Sequence, residues 1–177
     1  MNISRILPIA IPVAQLWVRS QRKKHRCAEN ARSLTDRESA VLLPFFTDEI
    51  LRKVRVTEVS SFPSPWFYPL LRRFGIETPL DIAHAGAITF DDTIVIVRDV
   101  RQSSRDWYAL LFHEVVHVVQ YTFLGLDGFI DRYLRGLVAV GMDYYQNPFE
   151  REAYTLQNRF QSAPHVPFSV EAEVRES

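Results

Sequence analysis

The segment Trp107–Tyr121, WYALLFHEVVHVVQY, decides the fold of this 177-residue chain. It is apolar on nearly every side, which is typical of a helix buried in the core of a domain. Its clearly polar residues are His113, Glu114, His117 and Gln120. At about 100° per residue, the two histidines and the glutamine lie within roughly 60° of one another, and the glutamate lies on the next stripe. Burial of such groups without partners costs several kcal/mol, so the pattern predicts that a bound ion or hydrogen-bonding groups contact these side chains.

A zinc ion is the partner that this spacing favours. Histidines at i and i+4 lie one turn apart on one helix face, so His113 and His117 are predicted ligands of a single Zn²⁺. The glutamate directly after the first histidine can reach a metal-bound water, which makes Glu114 the predicted general base. The same pattern is also explained by a hydrogen-bonded pair of buried histidines without a metal. The motif therefore predicts zinc-dependent hydrolysis of a peptide or similar amide bond, with a metal-free histidine pair as the alternative.

A catalytic zinc site needs a third protein ligand and one open position. The chain has one cysteine, Cys27, so a cysteine-rich site is excluded and the ligand must be His, Asp or Glu. The long metzincin form of the motif would place glycine at 120 and histidine at 123, where this chain has Gln120 and Phe123. The third ligand is therefore expected farther along the chain.

The best segment for this ligand is Asn147–Tyr154, NPFEREAY, which opens a predicted helix. Glu150 and Glu152 lie about 80° to either side of the apolar face of that helix, so periodicity does not choose between them. Glu150 also has a structural explanation, because with Asn147 as the N-cap it takes the third helical position of a capping box.

The remaining pattern predicts an α+β domain. Val54–Val59 alternates like a strand with one buried face, and residues 87–90 and 93–97 are apolar and β-branched. Asp91-Asp92 between the last two predicts a two-residue hairpin turn. We therefore expect a small antiparallel sheet beside a helical half, with the strand at 93–97 forming an edge to which an extended peptide adds.

The predicted helices share an apolar periodicity that is bounded by capping or helix-breaking residues. In chain order they cover residues 35–44, 47–52, 70–74, 104–123, 129–145 and 147–160. The segment after residue 162, which contains Pro164 and Pro167, is predicted to be irregular.

Charge and hydropathy restrict the partners and the location. Lys plus Arg and Asp plus Glu number 21 each, so no basic surplus points to nucleic acid. Residues 6–18 are mostly apolar and residues 19–26 are basic, but the apolar stretch is shorter than the about 20 residues that span a bilayer. A signal peptide would carry its charge before the apolar stretch. We expect an N-terminal helix packed on the domain, with a peripheral membrane contact through residues 1–26 as the alternative, and a cytoplasmic location.

The motifs resemble those of a bacterial family. The stretch His113–Gln120, HEVVHVVQ, resembles the HELxHVxQ signature of the DUF4157 group of predicted zinc metallopeptidase domains. The order before it is similar as well, with a V-R-V strand, a short helix and an I-T-F/I-V-I-V hairpin. Glu150–Ala153, EREA, is similar to the E-x-E-A segment of minimal gluzincins, in which the first glutamate is a metal ligand. The resemblance covers roughly residues 34–160.

This resemblance implies a minimal zincin-like fold in which Glu150 joins the two histidines on Zn²⁺. It also implies a metallopeptidase with a peptide or protein substrate, in which Glu114 acts as the base and then protonates the leaving amine. Many gluzincins support a ligand histidine with an Asp four residues after the ligand Glu, and this chain has Tyr154 there. A different residue must then hydrogen-bond the ligand histidine in this chain. Gln120 is a candidate to hydrogen-bond a ligand, and Tyr154 is a candidate to stabilise an oxyanion.

The expected organisation has three parts. Residues 1–30 form an N-terminal extension, residues 31–162 the zincin-like domain, and residues 163–177 a C-terminal tail. A different class of function is also compatible with the motif, namely a non-catalytic module that zinc stabilises. Glu114 separates the two hypotheses, because a purely structural zinc site needs no acid between its histidines.

Overall fold

A computed structural model describes residues 6–62, 65, 86–98 and 104–176. The predicted helix at 70–74 lies outside these residues. The elements in chain order are α1 (Leu7–Arg26), α2 (Asp36–Leu42), α3 (Asp48–Lys53), β1 (Arg55–Val59), β2 (Ala87–Phe90), β3 (Thr93–Val97), α4 (Ser104–Ala139), a 3-10 turn (Tyr144–Gln146), α5 (Pro148–Ser162) and α6 (Val170–Glu176). The fold is therefore mixed α and β, with one small sheet and one long helix, as expected at this level.

The sheet is mixed, so the prediction of an antiparallel sheet is wrong for one of its two strand pairings. The strand order is β1-β3-β2, with β3 parallel to β1 and antiparallel to β2. The β2–β3 hairpin turns at Asp91-Asp92 as predicted, and Asp91 adopts φ 62°, which Asp tolerates better than most residues. A two-residue turn forces antiparallel pairing, whereas the long connection between β1 and β2 leaves β3 free to lie parallel to β1.

The strand at 93–97 is central, so the prediction that it forms an edge is also wrong. Ile94, Val95 and Ile96 are all buried, which is the pattern of a strand covered on both faces. The edge belongs to β2. The Val97 N–H donates to the Gly86 carbonyl at 3.0 Å, so by alternation the backbone groups of Ala87 and Thr89 face away from β3. Within the described ranges no strand pairs with this side of β2.

Helices cover both faces of the sheet. On one face, Ile94 and Ile96 pack in the main core with Phe112 and Val115 of α4, together with α2 and α3. On the other face, Val18 of α1 packs in a second cluster with β-strand residues. These two layers place the sheet between α1 and the motif-bearing half of α4.

The N-terminal helix α1 is present and packs on the domain, as expected. Arg22 pairs with Asp91 and Asp92 at the hairpin tip. The opposite side of α1 exposes Ile9 and Leu16 at 70% and 67% of their surface. The membrane contact and the cytoplasmic location stay predictions. Between Asp106 and Ala139, α4 is also long and apolar enough to cross a bilayer, but most of that stretch is buried inside the protein, so this is weak evidence for a span.

The long helix α4 breaks at Gly125. This glycine has φ 69° and ψ 161°, and the chain re-enters helical geometry after it. The predicted helix at 129–145 instead ends at Ala139, because Gly141 and Met142 take positive φ values of 68° and 72°. The break turns the second half of α4, with Phe129, back towards the first, so that the Phe129 ring lies 6.3 Å from that of His117.

We predict that Gly125→Ala destabilises the protein by about 1–3 kcal/mol, because its backbone conformation is nearly restricted to glycine. Space is not the obstacle, since a Cβ at this position would meet nothing within 4 Å. Gly128→Ala is the matched control: it lies in helix next to Leu124, and alanine there is expected to be neutral or stabilising by up to about 1 kcal/mol. Urea denaturation measures both, and equal effects would show that the break is not strained.

The C-terminal part of the chain carries two helices. Asn147 caps α5 by accepting a hydrogen bond from the Phe149 N–H at 3.2 Å. A Cβ on Gly136 would lie 3.1 Å from Pro148 Cδ, so this glycine allows α4 and α5 to approach closely. The prediction that the tail is irregular is wrong, because α6 forms and its fully buried Val170 joins the main core. So short a helix leaves little periodicity to detect.

Candidate metal centre

Three Lewis bases converge where α4 meets α5. His113 and His117 lie on consecutive turns of α4, and their Nε2 atoms are 3.1 Å apart. Oε2 of Glu150, from the first turn of α5, lies 3.3 Å from His113 Nε2 and 3.5 Å from His117 Nε2. All three residues are buried. Among the described residues they form the group of His, Cys, Asp or Glu side chains that is arranged to hold a metal ion.

The size of this triangle fits a zinc ion. Donor atoms of a tetrahedral site with metal–ligand bonds of about 2.0–2.1 Å lie about 3.3 Å apart. The three observed separations, 3.1, 3.3 and 3.5 Å, bracket that value. Glu150 Oε2 is also the buried side-chain oxygen that has no hydrogen-bond partner among the described residues. Such an atom demands a cation or a proton, so the residues present fit a bound metal.

The far side of each histidine ring is held by an amide. His117 Nδ1 donates to Gln120 Oε1 at 2.7 Å, and His113 Nδ1 donates to Gln157 Oε1 at 3.0 Å. A proton on Nδ1 leaves the Nε2 lone pair of a neutral imidazole free for a metal. Both rings are therefore fixed in the tautomer that a metal ligand requires.

Glu150 and Glu152, which the helical periodicity does not distinguish, have different contacts in the structure. Glu150 faces the histidines, and its other oxygen accepts a 2.8 Å hydrogen bond from the Tyr133 hydroxyl. Glu152 instead accepts a 2.7 Å hydrogen bond from Gln120 Nε2. A capping box with Glu150 is not formed, because its carboxylate points into the site. Glu152 thereby supports His117 through Gln120.

Proton binding competes with metal binding at this cluster. Burial of the His117 ring lowers its pKa, but the charge of Glu150, whose Oε2 lies 3.5 Å from His117 Nε2, and the hydrogen bond to Gln120 outweigh burial and raise the pKa to about 9. Burial likewise raises the pKa of Glu150, but the two histidines prevail and hold it well below its usual range. In the metal-free protein a proton on His117 therefore takes the place of a cation.

We predict that zinc affinity increases about tenfold per pH unit from pH 7 to about 9, with release of about one proton per zinc. The sign follows because zinc needs the unprotonated His117 Nε2, and below the raised pKa that proton must leave first. Calorimetric titrations in two buffers with different ionisation heats measure both quantities. A pH-independent affinity without proton release would contradict the protonated His117–Glu150 pair.

Glu114 lies beside the triangle but outside it. It is buried, and its Oε2 accepts a 2.7 Å hydrogen bond from the Thr89 hydroxyl on the edge strand β2. The same hydroxyl also contacts the Glu114 backbone carbonyl at 3.1 Å. Glu114 lines a cavity of about 710 Å³ together with all three residues of the triangle. Its carboxylate is thus fixed next to the candidate metal position without being one of the ligands.

Tyrosines surround the same cavity. The ring centroid of Tyr154 lies 4.5 Å from that of His113, and Tyr144 and Tyr145 also line the cavity. Burial, and then the charge of Glu150, raise the pKa of the Tyr144 phenol far above its usual range and that of Tyr154 in the same direction. These phenols therefore stay protonated at neutral pH and can donate hydrogen bonds.

Sequence reasoning did not identify Gln157, Thr89 or Tyr133. A signal for Gln157 existed, because it stands seven residues after Glu150, on the same face of α5. Thr89 looks like an ordinary strand residue, and only the folded chain brings it to Glu114. Tyr133 likewise reaches Glu150 from the second half of α4, after the break.

We predict that Gln157→Ala weakens zinc binding about 10–100-fold, which is the usual effect of removing a group that orients a ligand histidine. Gln157→Glu is the matched variant, because it keeps an oxygen acceptor for His113 Nδ1 and should retain most of the affinity. Competition with a fluorescent zinc chelator measures the affinities. If Gln157→Ala binds zinc as tightly as the wild type, then the His113–Gln157 hydrogen bond does not support the site.

Comparisons of this chain with protein-family models, curated proteins and solved structures found no match.

Proposed function

We propose that this protein is a zinc-dependent metallopeptidase that holds Zn²⁺ through His113, His117 and Glu150. The observation that carries the proposal is the triangle of three buried donor atoms with the spacing of a tetrahedral zinc face, of which Glu150 Oε2 has no hydrogen-bond partner among the described residues. A structural zinc site has four protein ligands, whereas three converge here among the described residues. This leaves a coordination position for water or substrate, which favours catalysis.

Glu114 is the proposed general base. When bound, zinc supplies Lewis acidity and lowers the pKa of its water towards neutrality. With the metal held there, the Glu114 carboxylate would take a proton from the attacking water and give it to the leaving amine. Thr89 holds this carboxylate against β2 through its 2.7 Å hydrogen bond. Tyr144 and Tyr154 are the protonated groups in the cavity that are suited to donate to an oxyanion.

The edge strand β2 gives the proposal a place for substrate. Gly86 through Phe90 line the cavity that holds the histidines. An extended peptide that hydrogen-bonds to the backbone groups of Ala87 and Thr89 would therefore pass beside the metal position. This arrangement of an edge strand along the motif helix supports a zincin-like fold, with β2 in the role predicted for β3.

The alternative is a non-catalytic module that zinc stabilises. Both proposals require zinc, so metal content does not separate them. The position of Glu114 favours the enzyme, because it is buried at the site and held by Thr89 although it ligates nothing. The deciding experiment is hydrolysis by the wild type and by Glu114→Gln.

A further inference from the structure

The cavity is much larger than a metal site. Its volume is about 710 Å³, within the range of about 300–1,000 Å³ that is typical of ligand pockets, whereas a water takes about 30 Å³. One part of the cavity wall, which we call the apolar wall, is formed by Ala14, Trp17 and Val18 of α1 and by Phe129, Ile130 and Leu134 of α4. The α1 residues lie outside the stretch that resembles metallopeptidases.

Charge is distributed unevenly in this cavity. Its acidic lining residues are Asp106, Glu114 and Glu150, and no Lys or Arg is among the described residues that line it. An acidic substrate side chain would find no cation there other than the metal. A large apolar side chain would bury its surface against the apolar wall, which is a favourable transfer from water.

Packing fixes the apolar wall before any ligand binds. The Trp17 ring meets Phe90 edge-on at 5.3 Å, and Phe129 contacts Tyr121 and Phe149 with centroids at 3.9 and 5.1 Å. The ion pairs of Arg22 at the hairpin tip hold α1 against the sheet. A preformed pocket loses little free energy to ordering when it is filled.

Neighbouring side chains of the strand β2 face the metal side of the cavity and the apolar wall in turn. Thr89 faces α4 and Glu114, whereas its neighbour Phe90 faces α1 and Trp17. Side chains of a peptide paired with this edge alternate in the same way, so one points towards the metal side and the next towards the apolar wall.

We propose that the apolar wall is a subsite for a large apolar side chain, aromatic or branched aliphatic, next to the scissile bond of a peptide. This inference rests on the proposed function, because it assigns a substrate class to the same cavity. Burial of one such side chain is expected to raise affinity about 10–100-fold over a ligand that lacks it.

The test measures binding of three hydroxamates to the zinc-loaded protein by calorimetry. Acetohydroxamate probes the open metal position alone, 3-phenylpropionohydroxamate adds an aromatic group, and succinyl monohydroxamate adds a carboxylate. The aromatic compound should bind about 10–100-fold more tightly than acetohydroxamate, and the acidic one no more tightly.

Ala14→Trp fills the subsite and should remove the gain from the phenyl group without changing acetohydroxamate binding. Ala10→Trp is the matched control, because Ala10 lies one turn earlier on α1 and does not line the cavity. Equal affinity of the wild type for the acetyl and phenylpropionyl compounds overturns the subsite and leaves the open metal position standing. A phenyl gain that survives Ala14→Trp places the pocket elsewhere and also overturns it. No binding of any hydroxamate overturns the proposed function itself.

Discussion

Glu114→Gln should lower peptide hydrolysis by about 10²–10⁴-fold, the usual contribution of a general base. Glutamine keeps the size of the side chain and can still accept the hydrogen bond from Thr89, but it does not take a proton from water. Because Glu114 lies outside the triangle of ligands, zinc content and melting temperature should stay close to those of the wild type. A pooled peptide library read by mass spectrometry measures hydrolysis over many sequences at once, so the assay does not depend on a chosen substrate.

Two results would contradict this prediction. If Glu114→Gln cleaves as fast as the wild type, the observed activity comes from a contaminant or from another mechanism. If the wild type with a full zinc complement cleaves no peptide in the library, the non-catalytic module becomes the better explanation.

The second prediction with a large effect concerns zinc binding. The protein should purify with about one zinc per chain, and His113→Ala or His117→Ala should abolish binding at micromolar zinc. Metal that binds only the folded state stabilises it by about 2.7 kcal/mol at 100 times its Kd. For a chain of this length that corresponds to a rise in Tm of about 5–10 °C. Elemental analysis and melting curves with and without chelator measure both effects, and protein that takes up no metal after reconstitution would overturn the proposal.

The choice between the two glutamates has its own test. Glu150→Gln should lose zinc affinity by orders of magnitude, because an amide is a poor zinc ligand, whereas Glu152→Gln should lose at most about 10–100-fold through its contact with Gln120. Both substitutions keep side-chain size and helix propensity. The reverse order of effects would make Glu152 the ligand.

Local chemistry was predictable from the sequence, and long-range pairing was not. The helix predicted to begin at residue 35 does so, because the two capping-box hydrogen bonds of Thr35 and Glu38 join residues three apart. The hairpin at Asp91-Asp92 follows for the same reason. The parallel pairing of β1 with β3 depends on the path of the long connection between β1 and β2, which local sequence patterns do not encode, so strand order and edge could not be deduced.

The candidate site divides in the same way. His113, Glu114 and His117 are set by spacing on one helix, and the structure brings the two histidines together. Periodicity left Glu150 and Glu152 equal, because the choice depends on how α5 is rotated against α4. That rotation is set by contacts such as Gly136 on Pro148, which no local pattern encodes.

The cavity is built from segments that lie far apart in the sequence, and this has a consequence for biosynthesis. Ala14 in α1 leaves the ribosome long before Glu150 in α5, and the histidines emerge between them. A nascent chain that ends before α5 carries the whole HExxH motif but only two of the three bases. The three-base site is therefore completed only when α5 has emerged and docked against α4, so a nascent or truncated chain that lacks α5 does not assemble it.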